Sequence, residues 1–287
     1  MHPVSAARAS EWVCGRFRLS LARPLVMGIV NVTPDSFSER LDRTDPTEAI
    51  AWAERLVAEG ADILDIGGES TRPGAPRVDV ALELERILPV MEAMRGRGIP
   101  ISIDTRKPEV MRVALAHGAD IINDVGGFTE PGAIDAVAGS DCGLCIMHMQ
   151  GDPTTMQQAP HYHDVVAQVV DFLGAQRMTL EAAGVSQARM MFDPGIGFGK
   201  SLDHNLALLR ALPRLQHVGP MLVGLSRKSF IGRLTGRDVG ERLAGSLAAM
   251  LAAVREGAAV VRVHDVAATR DALKVWHALT VETSDGA

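Results

Sequence analysis

The chain has 287 residues, of which 47% are hydrophobic, 22% charged and only 4% aromatic, and its formal net charge is −6. That length supports a large buried core and lies within the range of one α/β barrel. The acidic balance argues against nucleic acid or an anionic membrane as main partner, while leaving room for a local basic cluster that receives an anionic substrate.

In chain order, Met1 to Glu11 carry Arg8 but no apolar stretch, so no secretory leader is expected. No later run approaches the roughly 18 apolar residues of a membrane span. The segment Gly15 to Leu21 alternates, with Phe17, Leu19 and Leu21 on one face, and reads as part of a small hairpin within residues 1–24 that closes a barrel floor. Short apolar runs then begin near Leu25, Asp62, Ile99, Asp120, Gly143, Arg189, Met221 and Ala259. Most are continuous rather than alternating, as parallel strands covered on both faces require. Segments of helical period separate them. Ile50, Ala53, Leu56 and Val57 form one stripe; Leu243, Leu247, Met250, Leu251 and Val254 form another, read as a helix with one buried face. Strand followed by helix about eight times is the pattern of a (β/α)₈ TIM barrel, here one domain over residues 25–287.

An internal echo agrees with this. Gly60-Ala61-Asp62, Gly118-Ala119-Asp120 and Gly257-Ala258-Ala259 each place a glycine just past a helix and just before a strand, suited to the left-handed position that ends helices. The rival architecture is an open doubly-wound sheet. It would show a Gly-rich turn after the first strand, where this chain has Asn31-Val32-Thr33-Pro34. The run Gly195 to Lys200 lacks the full spacing of either phosphate-loop motif. The cysteines are Cys14, Cys142 and Cys145, an odd number that suits a reducing cytosol better than a disulfide framework. Cys142 and Cys145 make a C-x-x-C, but Cys145 lies inside the apolar run Leu144 to Met147, so core packing is expected rather than zinc or redox chemistry.

The apolar runs end on polar side chains. In order these are Asn31; Asp65 and Glu69; Asp104; Asn123; His148; Asp193; Arg227 and Lys228; and finally Arg262 and His264. In a barrel such ends converge on one mouth, where catalytic groups sit. Asp104, Asn123, Asp193 and Lys228 offer acceptors, an amide and a cation suited to the edges of a flat polar heterocycle. A carboxylate there can accept two parallel N–H bonds. Asn31, Arg262 and His264, on the first and last strands, suit phosphate oxygens and Mg²⁺. The long segments Thr33 to Pro46 and Ser70 to Pro76 read as mobile lids.

At these residues the sequence resembles the dihydropteroate synthases. The likeness runs through Gly28-Ile29-Val30-Asn31-Val32-Thr33-Pro34-Asp35-Ser36-Phe37-Ser38, then Asp65-Ile66-Gly67-Gly68-Glu69-Ser70-Thr71-Arg72-Pro73-Gly74. It continues through Ser102-Ile103-Asp104-Thr105, Ile122-Asn123-Asp124 and Met147-His148-Met149-Gln150-Gly151. Asp193-Pro194-Gly195-Ile196-Gly197-Phe198-Gly199-Lys200, Ser226-Arg227-Lys228-Ser229-Phe230 and Arg262-Val263-His264-Asp265-Val266 complete it.

The resemblance implies an enzyme that condenses 6-hydroxymethyl-7,8-dihydropterin diphosphate with p-aminobenzoate, releasing pyrophosphate. It implies a pterin pocket of Asp104, Asn123, Asp193 and Lys228, with Met147 and Phe198 as walls and Arg262 stacked on one face. Asn31, Arg262 and His264 would hold the diphosphate with Mg²⁺, Asn31 being the metal ligand. The p-aminobenzoate would lie among Phe37, Thr71, Arg72, Pro73, Phe198 and Ser229. Catalysis would rest on Asp104, Lys228, Arg262 and His264, and the chain would act as a cytoplasmic homodimer and a sulfonamide target.

One departure is visible: the family commonly follows Ser-Phe-Ser with Asp-Gly-Gly, and here Glu39-Arg40-Leu41 stand there. The first lid is expected to be stiffer or to take another path. Two other readings compete. A pterin-binding methyltransferase-like domain or an inactive scaffold is not expected to carry the diphosphate residues together with Thr71-Arg72-Pro73. A barrel aldolase would use Lys228 as a Schiff base, which borohydride trapping would reveal.

Overall fold

The computed structural model describes residues 9–33, 45–72 and 74–280. A hairpin of β1 (Glu11–Cys14) and β2 (Phe17–Ser20) comes first. It is followed by β3 (Leu25–Asn31), β4 (Ile63–Gly67), β5 (Ile101–Asp104), β6 (Ile121–Asp124) and β7 (Gly143–Met147). The last strands are β8 (Met190–Asp193), β9 (Leu222–Gly224) and β10 (Val260–Val263), with helices between successive strands from β3 onward. Strands β3 to β10 form one parallel sheet in the order β8-β7-β6-β5-β4-β3-β10-β9. Its two ends meet: a parallel bridge joins Phe192 to Met221, and the Phe192 amide donates to the Pro220 carbonyl at 2.9 Å. The sheet is thereby a (β/α)₈ barrel, as the pattern of runs predicts.

The repeated helix-to-strand joints explain part of this closure. Gly60, Gly118 and Gly257 have φ of 96°, 94° and 96°, the left-handed region where a Cβ is penalised. In the first two joints the aspartate then reaches back to the preceding strand. Asp62 accepts from the Val26 amide at 2.8 Å, and Asp120 from the Ile101 amide at 3.0 Å. One short sequence thus ends a helix and fixes the start of the adjacent strand.

Within the barrel, side chains two residues apart share the interior face. A lower apolar layer comprises Leu25, Met27, Ile63, Ile121, Cys145, Met191, Leu222 and Val260. The hairpin caps it from below with Trp12 and Cys14, and Phe17, Leu19 and Leu21 pack against the same cluster. The expected hairpin therefore does close the floor. All three cysteines are free and buried, Cys145 in the lower layer, and burial pushes its thiol well above the ordinary value.

One helix differs from expectation. In the helix Leu243–Arg255 the residues turned fully inward are Ser246, Met250 and Ala253. Leu243 is exposed, while Leu247 and Leu251 line an open groove with Val275, Trp276 and Leu279 of the helix Val266–Thr280. The apolar stripe serves both sides: Met250 is buried in the core and Leu247, Leu251 and Val254 pack against it, while Leu247 and Leu251 also line the groove. The small residues Ala253 and Ser246, which a hydrophobic count underweights, take the close approach.

Trp12 is fully buried and its indole N–H donates to the Arg189 carbonyl at 2.9 Å. Trp12→Ala should lower stability by about 3–5 kcal/mol, read as a shift in the urea midpoint at unchanged m-value. A shift of only a few tenths would show that the hairpin is dispensable to the floor.

Candidate active site

Directly above the apolar layer the same strands place polar groups. Ile63 is followed two residues on by Asp65, Ile121 by Asn123, Met191 by Asp193 and Val260 by Arg262. Strand β5 contributes Ser102 and Asp104, again two apart. The carboxylate of Asp65, fully buried, gathers three of its neighbours. It accepts from Arg262 Nε at 2.6 Å, from the Ser102 hydroxyl at 2.6 Å and from Asn123 Nδ2 at 3.1 Å. The other arm of Arg262, Nη2, donates to Asp104 at 2.7 Å. Five side chains from four strands thus form one connected layer.

Electrostatics follow from this geometry. Burial pushes the Asp104 carboxyl up to about 7; the Arg262 guanidinium opposes that rise and the nearby Asp65 adds to it. For Arg262, burial acts against the charge, but the carboxylates of Asp65 and Asp104 outweigh it and hold the guanidinium above its ordinary value. Burial likewise raises Asp193, against the pull of Lys228. Burial brings Lys228 down to about 8 although Asp193 favours its charge, and Arg262 adds to the fall. Asp193, Lys228 and Arg262 therefore share one field, as the sequence predicts.

In the loop after β8 each carbonyl from Gly195 to Gly199 is engaged. The Gly195 carbonyl accepts from the Phe198 amide at 3.0 Å, and the Ile196 carbonyl from Lys228 Nζ. The Gly197 carbonyl accepts from Gln157 at 2.5 Å, that of Phe198 from Lys200 at 2.9 Å and that of Gly199 from the Tyr162 hydroxyl at 2.9 Å. Gly195 has φ of 66°, and a Cβ there would overlap the His148 carbonyl, so only glycine lets the two loops touch. This packing holds Phe198 with its ring 4.8 Å from the Lys228 ammonium. Met147, buried at the end of β7, stands in register with Asp193.

The strands leading to Asn31 and His264, the residues expected to hold the diphosphate, are β3 and β10, which are paired in the sheet. Asn31 ends β3, half-buried, and His264 follows β10 with its Nδ1 3.1 Å from the Ser226 hydroxyl. Ser229 is exposed at the start of the helix Ser229–Thr235 beside Lys228. Thr71 and Arg72 lie half-buried on the loop after β4. Phe37, Pro73 and the Glu39-Arg40-Leu41 departure lie outside the described residues.

Three strand-end residues do not join the central layer. His148 packs against Tyr162 and Phe172, with ring centroids 6.0 and 5.0 Å away, and its Nδ1 lies 3.0 Å from Lys200 Nζ. Burial, with Lys200 adding, lowers its imidazole to about 3, and Lys200 itself falls to about 7 chiefly through burial. Arg227 turns to Asp265. Glu69 accepts from Arg106 at 3.1 Å and from Lys107 at 2.5 Å, and Arg106 reaches Asp152 at 2.9 Å, in a second buried network that ties together the loops after β4, β5 and β7. Sequence reasoning places Asp65 at the rim without giving it a role, and gives none to Ser102, Lys200 or Asp265. The available signal was the two-residue step from apolar to polar within each strand, which marks Asp65 and Ser102 as interior.

Comparison with known proteins agrees with this geometry. A family model described as Pterin binding enzyme matches residues 27–264. The dihydropteroate synthase of Neisseria meningitidis serogroup B is 52% identical over 278 residues, covering 94% of this chain and 98% of that protein. The crystal structure of Burkholderia cenocepacia dihydropteroate synthase complexed with 7,8-dihydropteroate superposes with a TM-score of 0.87 at 54% identity, covering 94% of this chain and 96% of that one. The Xanthomonas albilineans dihydropteroate synthase with 4-aminobenzoic acid gives a TM-score of 0.88 at 51% identity, covering 95% and 99%.

Removing either end of the buried Asp65–Arg262 pair leaves an uncompensated charge, so Asp65→Ala should cost about 3–5 kcal/mol. Arg262→Met should cost a similar amount, and the double variant should lose less than the two single losses added, by about 1 kcal/mol or more. Urea unfolding of the four proteins measures this coupling; additive losses would refute it.

Proposed function

The chain belongs to the dihydropteroate synthases, and we propose that its barrel mouth joins 6-hydroxymethyl-7,8-dihydropterin diphosphate to p-aminobenzoate, giving 7,8-dihydropteroate and pyrophosphate. The observation that carries this reading is the layer centred on Arg262. A cation clamped between Asp65 and Asp104 stands beside Asn123, in the electrostatic field of Asp193 and Lys228, and only two residues before His264. A heterocycle pocket and an anion site adjoin each other there.

The residues have distinct tasks in this reading. Asp193 accepts two N–H bonds from the guanidine-like edge of the pterin, and Asn123 and Lys228 take the remaining polar edges. Met147 and Phe198 form the apolar walls, and Arg262 stacks on the ring while facing the diphosphate. His264 and Arg262 neutralise the charge that grows on departing pyrophosphate. The carbon left behind is a cation delocalised into the pterin ring, and the Asp104 carboxylate faces it. The aromatic amine then attacks that carbon and gives up one N–H proton to solvent; its ring lies among Thr71, Arg72 and Phe198, with its carboxylate near Ser229. No activated nucleophile is needed, because the amine carries its own lone pair.

The donor set fits Mg²⁺. Among the described residues no group of three or more His, Cys, Asp or Glu could hold a metal ion. An ion bound by one protein oxygen, that of Asn31, would complete its shell with diphosphate and water oxygens, the arrangement Mg²⁺ favours. When bound it would supply charge neutralisation to the leaving group.

Two further points belong to the same reading. Among the described residues no helix is long and apolar enough to cross a membrane, and with three free cysteines this suits a reducing cytoplasm. The groove between the last two helices exposes Val275 and Leu279 at 60% and 80%, an unusual pairing of large apolar side chains that suits the interface of a homodimer. Sedimentation velocity of Leu279→Glu against the parent chain tests the dimer: the variant should shift to monomer.

Formation of 7,8-dihydropteroate should require both substrates and Mg²⁺; product formed at the same rate without the metal, or none formed with all three present, would overturn the reading. Asp193→Asn should weaken pterin binding about tenfold or more, because the amide cannot accept two N–H bonds, and calorimetry showing unchanged affinity would remove that role. The profile of kcat/KM against pH should be bell-shaped. It falls below about 7 as Asp104 takes up a proton and loses its charge, and above about 8 as Lys228 loses its proton. Lys228→Arg, whose guanidinium stays charged, should lack the alkaline limb.

A further inference from the structure

Arg227 has φ of 60°, one of two non-glycine residues with positive φ among the described residues. A left-handed conformation at a long side chain costs energy and persists only where its surroundings impose it. Three contacts do so here. The Arg227 amide donates to the Ser246 hydroxyl at 2.9 Å, its carbonyl accepts from Arg242 Nη1 at 3.1 Å, and its guanidinium forks onto Asp265 at 3.1 Å and 2.5 Å.

The Asp265 contact is the upper rung of a two-rung ladder. In the lower rung the Ser226 hydroxyl accepts from the His264 amide at 3.3 Å and lies 3.1 Å from His264 Nδ1. Consecutive residues after β9, Ser226 and Arg227, thus grip consecutive residues after β10, His264 and Asp265. The residue that follows Arg227 is Lys228, whose ammonium lies in the central layer. Turning the backbone left-handed at Arg227 sends its own side chain out to Asp265, while that of Lys228 reaches in to the Ile196 carbonyl.

We propose that Arg227 and Asp265 are positioning residues whose ion pair, acting with the Ser226–His264 contact, fixes the His264 imidazole beside the Ser226 hydroxyl and so governs capture of the diphosphate rather than of the pterin ring. The side chains of Arg227 and Asp265 are engaged with each other. The pair acts through the loop that follows β10, because the Asp265 carboxylate is one residue from the imidazole it steers. This rests on the assignment of His264 to the diphosphate made above.

The test compares Asp265→Asn, Arg227→Gly, the corresponding double variant and His264→Ala. Titration calorimetry measures the binding of 6-hydroxymethylpterin diphosphate and, separately, of 6-hydroxymethylpterin without the diphosphate; thermal melts monitor the fold. Arg227→Gly relieves the positive φ while deleting the ion pair, so it should melt no lower than the parent chain. Both single variants should nevertheless bind the diphosphate about tenfold more weakly, bind the pterin alcohol within twofold of the parent, and lose no more when combined. Diphosphate affinity retained in both variants but lost in His264→Ala would overturn the proposal and leave the role of His264 standing. Equal weakening of both ligands would also overturn it, since that is general loosening. If His264→Ala itself binds the diphosphate normally, the assignment of His264 fails and the positioning role falls with it.

Discussion

The arrangement depends on one buried cation. Arg262 lies inside the barrel with 21% of its side chain exposed, between carboxylates at 2.6 and 2.7 Å. A guanidinium in that position is costly to desolvate, and the two carboxylates offset the cost only while all three groups keep their geometry. Asp65 in turn is satisfied by Ser102 and Asn123 as well as by Arg262. The layer is therefore a closed set in which each polar atom depends on its neighbours, so the strands that carry them must hold their register. What positions the chemistry is also what fixes the upper barrel.

This layer is possible because an apolar layer lies beneath it. Trp12 and Cys14 seal the floor, and Met27, Ile63, Ile121, Cys145, Met191, Leu222 and Val260 fill the interior up to the level of Asp65. Water reaches the charges from above alone, which is why burial moves Asp104 and Lys228 toward neutrality in opposite directions. Burial thus draws the carboxylate up and the ammonium down, each toward its uncharged form. A carboxylate and a cation near their titration points can respond to a substrate whose charge changes during reaction.

Much of this was legible in the sequence, for a physical reason. Strands buried on both faces read as unbroken apolar runs, and the strand starts from Leu25 to Ala259 fall within two residues of the observed ones. The glycine at each helix end carries its own geometric requirement, seen again at Gly60, Gly118 and Gly257. The polar strand ends were visible for the same reason that they work: an apolar run has to stop on them. Partnership was not visible. The ligands of Asp65 lie 37, 58 and 197 residues away, and nothing local in the chain distinguishes Asp65, which gathers the layer, from Glu69, which serves another network. A histidine at a strand end, such as His148, looks the same in sequence whether it faces the mouth or the helix layer. Phe172 and Lys200, which decide the matter, are distant in sequence.

A division of labour follows from these distances. The central layer of Asp65, Ser102, Asp104, Asn123 and Arg262 is carried by strands, whose pitch places these groups together, whereas Phe198, Lys228 and His264 are carried by the segments that follow strands. The residues that aim them come from the loops after neighbouring strands: Tyr162 on the Gly199 carbonyl of the segment bearing Phe198, Lys200 on the His148 carbonyl, Arg106 on Glu69, Arg227 on Asp265. Each contact joins two loops, so the loops form pairs rather than independent arms. Gly195 shows how tight the pairing is, since one Cβ would drive its loop off the carbonyl of His148. The segment after β8 has each carbonyl from Gly195 to Gly199 engaged and cannot open without breaking several hydrogen bonds at once. Phe198 is therefore held as part of the scaffold rather than on an arm free to swing.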